Sequence, residues 1–134
     1  FRQAASAGVA DGIGGTEWDA ARQSWGAGWR MPTIAEFKEL MDESKCLREW
    51  VTTTNGVVGT KFTSRINGNS IFLPAAGYRD GSKIEWYSLV GLYSTSTPNE
   101  GYVQFAMYMH LSNYPYANNG SRYSGNSIRP VAKL

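Results

Sequence analysis

The order of apolar and polar positions predicts two helices in the first third of the chain. After Thr16, which can cap a helix, Trp18, Ala21 and Trp25 recur at helical spacing. The second helix has a clearer start signal, because Thr33 and Glu36 have the spacing of a capping box. An apolar stripe typical of a core-facing helix follows, made of Ile34, Phe37, Leu40 and Met41. Residues 1–15, rich in Ala and Gly, are expected to form an edge strand or a frayed start.

After Trp50 the pattern changes to short β-favouring runs separated by turn signals. The Asn-Gly pairs at 55–56 and 67–68 predict tight hairpin turns. Strands are predicted at residues 51–54, 60–66, 69–74, 91–97, 102–109 and 127–132. Helices followed by short strands predict an α+β class, with two helices packed on twisted antiparallel sheets. The length of 134 residues suits a single domain, taken as residues 1–134.

Charge and hydropathy argue against a nucleic-acid partner and against a membrane-spanning helix. The chain carries 13 Lys and Arg against 11 Asp and Glu, for a net charge of +2. The basic residues after position 50 are scattered, whereas nucleic-acid binders cluster them on one face, so no nucleic-acid partner is expected. No apolar run approaches the roughly 20 residues that a membrane-spanning helix needs.

Residues that could carry catalysis are sparse. Cys46 is the only cysteine and His110 the only histidine, too few ligands for a zinc site. Cys46 is expected to be a small buried hydrophobe. Neither a GxSxG elbow nor a phosphate-binding GxxxxGK[ST] loop is present. We therefore expect a non-enzymatic domain with no cofactor and no metal. A carbohydrate-active enzyme stays open as an alternative, because the carboxylates of Asp80, Glu85 and Glu100 could converge in space.

The positive signal is the composition of residues 101–127. They hold five Tyr, four Asn, four Ser and three Gly. Antibody combining loops share this bias, because Tyr supplies rigid contact area while Ser, Asn and Gly adapt their hydrogen bonds. Ordinary turns and exposed strand faces also favour these residues. The predicted ligand-binding residues are Trp86, Tyr87, Tyr93, Tyr102, Tyr108, His110, Asn113, Tyr114, Tyr116, Asn118, Asn119 and Tyr123. The remaining tryptophans, Trp18, Trp25, Trp29 and Trp50, are expected in the core or at its rim.

Several motifs, in order, resemble one bacterial family. They are DAARQSW at 19–25, GWRMPT at 28–33, GNSIFLPAAGYR at 68–79, GLYSTSTP at 91–98, RYSG at 122–125 and SIRPV at 127–131. Together they resemble the Fibrobacter succinogenes major paralogous domain over residues 16–132. This resemblance implies a C-type-lectin-like fold, similar to the variable proteins of diversity-generating retroelements. Those proteins display residues altered at adenine-containing codons on one exposed face, and Asn, Tyr and Ser are frequent products.

The resemblance also sets expectations about partners. The calcium-binding EPN, QPD and WND strings of sugar-binding lectins are missing, and the nearest string, TPN at 97–99, lacks a carboxylate. No calcium-dependent sugar site is therefore expected. The expected partner is a protein or a surface glycan of another cell, bound by a monomer that is extracellular, at a bacterial cell surface or on a phage particle. A structural module of a surface or fimbria-like assembly is the alternative.

Overall fold

The protein is a small mixed α+β domain built from two helices and several antiparallel sheets within the residues described. The computed structural model describes residues 12–102 and 104–133. The helices are α1 (Ala20–Trp25) and α2 (Ile34–Met41). The strands are β1 (Trp29–Arg30), β2 (Cys46–Thr52), β3 (Val58–Ser64), β4 (Ser70–Pro74), β5 (Tyr78–Asp80), β6 (Lys83–Glu85), β7 (Gly91–Pro98), β8 (Phe105–Leu111), β9 (Tyr116–Ser121), β10 (Gly125–Asn126) and β11 (Val131–Ala132).

Helix α1 begins later than its sequence pattern indicates. Its N-cap is Asp19 rather than Thr16, and the Asp19 carboxylate accepts hydrogen bonds from the backbone N–H of Ala21 and Arg22. The same fully buried carboxylate accepts from the Met31 N–H at 3.0 and 3.1 Å. Asp19 therefore caps the helix and also fixes the chain beyond β1, a second role that local spacing does not reveal.

Helix α2 follows its sequence prediction closely. The Thr33 side chain accepts from the Glu36 N–H while the Glu36 carboxylate accepts from the Thr33 N–H at 2.8 Å, which confirms the capping box. The Arg30 guanidinium donates to both Glu36 oxygens, at 2.9 and 2.5 Å. The hydrogen bonds from Arg30 lower the pKa of Glu36 to about 2. The start of α2 is thus fixed to β1 by an ion pair.

The main core lies where α2 meets two three-stranded sheets, β2–β3–β4 and β7–β8–β9. Both predicted Asn-Gly signals fall between strands: residues 55–56 separate β2 from β3, and residues 67–68 separate β3 from β4. The buried residues of this cluster are Phe37, Phe62, Leu73, Tyr93, Met109 and Leu111. Burial of these large side chains is the main stabilising contribution and holds the β7–β9 sheet rigidly.

Two further pairings tie the end of the chain to its other parts. Strand β11 pairs with β1, and β10 joins β5 and β6 in the order β10–β5–β6. Just after β10, Ser127 lies beside β7: its N–H donates to the Leu92 carbonyl, and its carbonyl accepts from the Ser94 N–H. Two isolated bridges, Ser127 with Tyr93 and Gly77 with Gly91, therefore connect the β10–β5–β6 sheet with the β7–β8–β9 sheet.

Three placements correct expectations from the sequence. Trp25 and Trp29 are exposed, at 52% and 40%, because Gly26 ends α1 at once and β1 is only two residues long. Trp18 does pack on a second core cluster, with Ile13, Ala21 and Met31 at its centre, and Trp50 is half-buried. Cys46 is partly rather than fully buried.

The edge strand or frayed start was predicted for residues 1–15, and residues 1–11 lie outside the described part of the chain. The rest of that stretch, residues 12–15, contains no strand; there Ile13 is buried and its N–H donates to the Ser96 carbonyl. In the parts of the chain described, no helix is long and apolar enough to cross a membrane.

Candidate ligand-binding face

Strand register places a set of aromatic and polar side chains on one face of the sheet. Tyr93 and Met109 are paired and both point into the core. Successive strand residues point to opposite faces, so Tyr108 and His110 lie on the other side. Their cross-strand partners there are Asn118 and Tyr116. We call this surface the tyrosine face; it comprises Tyr78, Trp86, Ser94, Tyr108, His110, Tyr116, Asn118 and Asn126.

One row of this face runs straight across the strands. His110 is paired with Tyr116 on one side and with Leu92 on the other. On the Leu92 side, Ser127 forms an isolated bridge with Tyr93, and the preceding residue, Asn126, is paired with Tyr78. The row connects segments that are far apart in sequence, from β5 to β9. Chain folding therefore assembles the face, and no local motif contains it.

His110 supports Tyr116 from below. The imidazole and phenol rings are stacked, with centroids 4.4 Å apart and an interplanar angle of 15°. His110 is only 8% exposed, whereas Tyr116 is 47% exposed. Burial lowers the pKa of His110, and its Nδ1 has no hydrogen-bond partner in the described structure. The histidine is thus a positioning residue for the tyrosine ring and not itself a contact surface.

Tyr108 is fixed by a glycine and an asparagine. A Cβ on Gly120 would come within 2.7 Å of the Tyr108 ring, so the phenol lies directly over bare backbone. The Asn118 Oδ1 accepts from the Asn119 N–H at 2.8 Å, which orients the amide beside the ring. Burial raises the pKa of Tyr108, with the neighbouring phenol of Tyr116 as the second cause. Tyr108 therefore remains a neutral hydrogen-bonding group at the centre of the face.

Trp86 extends the face at its other end. Its indole packs edge-on against Tyr78, with ring centroids 5.3 Å apart and an interplanar angle of 76°. Trp86 and Ser88 both have positive φ, 56° and 61°, a conformation that bulky side chains rarely adopt. A Cβ on Gly77 would lie 2.0 Å from the Glu85 carbonyl, so the loop packs tightly on glycine backbone. The strained loop presents the indole 51% exposed.

Two predicted site residues do not belong to this face. Tyr93 is 3% exposed, and its hydroxyl donates to the Pro74 carbonyl at 2.8 Å, so it is a core residue. Burial also raises the pKa of its phenol. Asn119 is paired with Met107 and points to the opposite side from Asn118. Both placements have the same cause: strand alternation sends neighbouring residues to different faces.

The remaining predicted residues are exposed but lie outside the strands that form the row. Asn113 and Tyr114 lie between β8 and β9, where the Tyr114 ring is 86% exposed. Tyr87, Tyr102 and Tyr123 are also exposed, at 65%, 61% and 73%. These side chains lie beside the strands, and strand register does not place them on the tyrosine face.

Sequence reasoning missed three members of the face. Tyr78, Ser94 and Asn126 were not among the predicted site residues, yet register places them beside Tyr108 and His110. Asn126 stood within the Tyr- and Asn-rich stretch, so composition offered a signal for it. For Tyr78 the only signal is tertiary: β5 pairs with β10, which lies 45 or more residues later in the chain.

The chemistry available at the face is hydrogen bonding and ring contact. Among residues 12–102 and 104–133, no three His, Cys, Asp or Glu side chains are grouped as a metal site requires. The charged side chains on this side of the strands are confined to the β5–β6 end, where Glu85 is opposite Tyr78 and Lys83 is opposite Asp80. Comparison with protein-family models, with curated proteins and with solved structures finds no match.

Proposed function

We propose that this chain is a non-enzymatic binding domain with a C-type-lectin-like fold, which presents the tyrosine face to a protein partner on another cell or particle. The observation that carries the proposal is the face itself. Eight aromatic, amide, hydroxyl and imidazole side chains from distant segments lie close together, and the β7–β9 sheet that carries most of them has core residues on its other side. This assignment follows the sequence resemblance and places the domain outside the cell or on a phage particle.

Preorganisation favours binding over a merely solvated surface. Tyr116 is held by His110, Trp86 by Tyr78, and Tyr108 by the bare backbone of Gly120. Rings that are already ordered lose little conformational entropy when a partner arrives. Aromatic anchors of this kind typically contribute about 2 kcal/mol or more each when they are central in an interface.

The charge distribution favours a protein partner. The centres of protein interfaces are depleted in charged residues and enriched in Tyr and Trp. The tyrosine face has this character, and its charged neighbours Asp80, Lys83 and Glu85 lie only at the β5–β6 end. Amides and hydroxyls at its centre, such as Asn118 and Ser94, can match backbone groups of many different partners.

The proposal includes variation of the contact residues. In diversity-generating systems, substitutions directed to adenine-containing codons alter Asn, Tyr and Ser positions. The face concentrates these types, while its core-facing neighbours Met109 and Ala117 are apolar. A face that can vary on one side of a sheet leaves the packing on the other side intact.

An array of extracellular proteins tests the binding function directly. The wild-type domain, labelled at its amino terminus, is expected to give hits that are lost with Tyr116→Ala and Trp86→Asn; Asn tolerates the positive φ at position 86. Trp25→Ala and Ile66→Thr are matched controls, because both side chains are exposed and lie outside the face. Hits that survive both face variants, or that the controls abolish equally, would overturn the assignment.

A further inference from the structure

Strand β6 leaves an open edge at one end of the strand order. The three residues Lys83–Glu85 pair with β5 on one side, and no other described strand pairs with them on the other. An edge strand with free backbone groups is a template for pairing with another chain.

The backbone of Ile84 faces the open side. A two-residue turn, Gly81-Ser82, joins β5 to β6, which makes Asp80 and Lys83 the hydrogen-bonded pair next to the turn. Hydrogen-bonded and non-hydrogen-bonded pairs alternate along antiparallel strands. Ile84, opposite Arg79, is therefore in a non-hydrogen-bonded pair, and its N–H and C=O point away from β5. Its side chain is 58% exposed.

We propose that two copies of this chain pair through β6, antiparallel, about a twofold axis at Ile84. In this arrangement Ile84 of each copy exchanges both backbone hydrogen bonds with the other. Lys83 of one copy then stands opposite Glu85 of its partner, and the axis repeats this pair. Residues opposite each other on paired strands have Cβ atoms about 5 Å apart, so both pairs bring opposite charges together.

The order of charges along β6 favours pairing with a second copy of this chain over pairing with an unrelated strand. Edge strands often carry charged residues as protection against pairing, and that is the competing explanation of Lys83 and Glu85. Protection works when the charges that meet are alike. Here they have opposite sign on the two sides of Ile84, so self-pairing makes them complementary. Exposed apolar side chains outside the tyrosine face would add contact area: Tyr87 and Leu89, which follow β6, are 65% and 66% exposed.

Pairing of this kind has a consequence for the tyrosine face. A twofold axis perpendicular to the sheet keeps both tyrosine faces on the same side. Two faces that engage one surface together bind with greater avidity than either alone. The dimer does not depend on the proposed binding function, and it differs from the monomer expected from the sequence.

Sedimentation velocity tests the pairing on the intact chain at concentrations from about 10 to 500 µM, the range suited to a short and weak interface. Wild type is expected to shift from monomer towards dimer as concentration rises. Lys83→Glu and Glu85→Lys, each alone, place like charges together twice and are expected to remain monomeric. The double exchange, K83E with E85K, restores complementary pairs and is expected to recover the dimer.

Mixing the two single variants gives the most decisive test of the pairing. The Lys83→Glu variant carries two acidic residues on the edge and the Glu85→Lys variant two basic ones, so an equimolar mixture is expected to form a heterodimer. Ile66→Thr, an exposed isoleucine in another hairpin, is the control and should dimerise as wild type does. Circular dichroism verifies folding of each variant. A wild type that stays monomeric at the highest concentration, or folded single variants that dimerise as wild type does, would overturn the proposal.

Discussion

Tyr116 lies flat on His110, with ring centroids 4.4 Å apart, and this contact joins the buried side of the tyrosine face to its exposed side. The two residues are directly opposite on β8 and β9. The imidazole occupies the space between the sheet and the phenol, and the phenol excludes water from the imidazole. Each ring therefore depends on the other, and the pair offers a measurement that needs no ligand.

Removing the phenol should raise the pKa of His110. Burial is the main cause that lowers this pKa, and Tyr116 supplies part of the cover. In Tyr116→Ala the imidazole gains solvent, and its pKa should move up towards 6.5. An NMR pH titration of the only histidine measures it. Tyr114→Ala, which removes a ring that is 86% exposed, should leave the value unchanged; an unchanged value in Tyr116→Ala would contradict the stacking.

His110 should also make the fold sensitive to mild acid. Its folded pKa lies below the unfolded value near 6.5, so its contribution to stability is complete above pH 6.5 and is lost as pH falls through the folded pKa. Urea denaturation at pH 7.5 and 5.0 should show a smaller free energy of unfolding at the lower pH. His110→Phe keeps a ring beneath Tyr116 and should reduce this difference. An equal difference in wild type and His110→Phe would assign the sensitivity to other groups.

Glu36 should control stability in stronger acid. Its pKa is lowered from 4.5 to about 2, chiefly by hydrogen bonds from Arg30, so its stabilising effect is present above pH 4.5 and lost as pH falls towards 2. Glu36→Gln should reduce the free energy of unfolding at pH 7 by about 1 kcal/mol, a modest value because the pair is partly exposed. The variant should also flatten the pH dependence between 4.5 and 2. Glu39→Gln, in a more exposed ion pair with Lys45, is the matched control and should change little.

Asp19 should be the most sensitive polar position in the first third of the chain. Its buried carboxylate satisfies the N–H groups of Ala21, Arg22 and Met31. Asp19→Ala leaves these donors without a partner and should cost about 2–4 kcal/mol in thermal or urea unfolding. Thr16→Ala, at the cap predicted from sequence, should cost less because Thr16 hydrogen-bonds only within its own turn. The reverse order would contradict the capping assignment.

Elements with local signals could be predicted from the sequence. The capping box at Thr33 and Glu36 and the Asn-Gly turns at 55–56 and 67–68 depend on residues within a few positions of one another. Strand ends have weaker local signals: β2 begins at Cys46, although β-favouring composition becomes clear only after Trp50. Asp19 rather than Thr16 caps α1. Its carboxylate also accepts a hydrogen bond from the N–H of Met31, twelve residues later, a contact that local spacing does not reveal.

The face of each strand residue could not be predicted from composition. Tyr93 and Tyr108 are both tyrosines in strands, yet one lies in the core and the other on the tyrosine face. The difference is set by pairing register, because a shift of one residue exchanges the two faces. Tyr78 lies on the face because β5 pairs with β10, which brings Tyr78 opposite Asn126 from a distant segment. Composition thus indicated the region that contains most of the tyrosine face, and tertiary pairing determined which residues lie on it.

We propose that one face of the β7–β9 sheet contacts a partner and varies, while the packing on its other face stays constant. Sequencing the gene and its 3′ flank in many independent isolates tests this most directly, without knowledge of the partner. Substitutions are expected to concentrate at codons 108, 116 and 118, with codons 109 and 117 constant, and a nearby near-copy repeat is expected to differ only at adenines. Substitutions spread equally over core-facing and outward-facing codons, or an invariant tyrosine face, would contradict it.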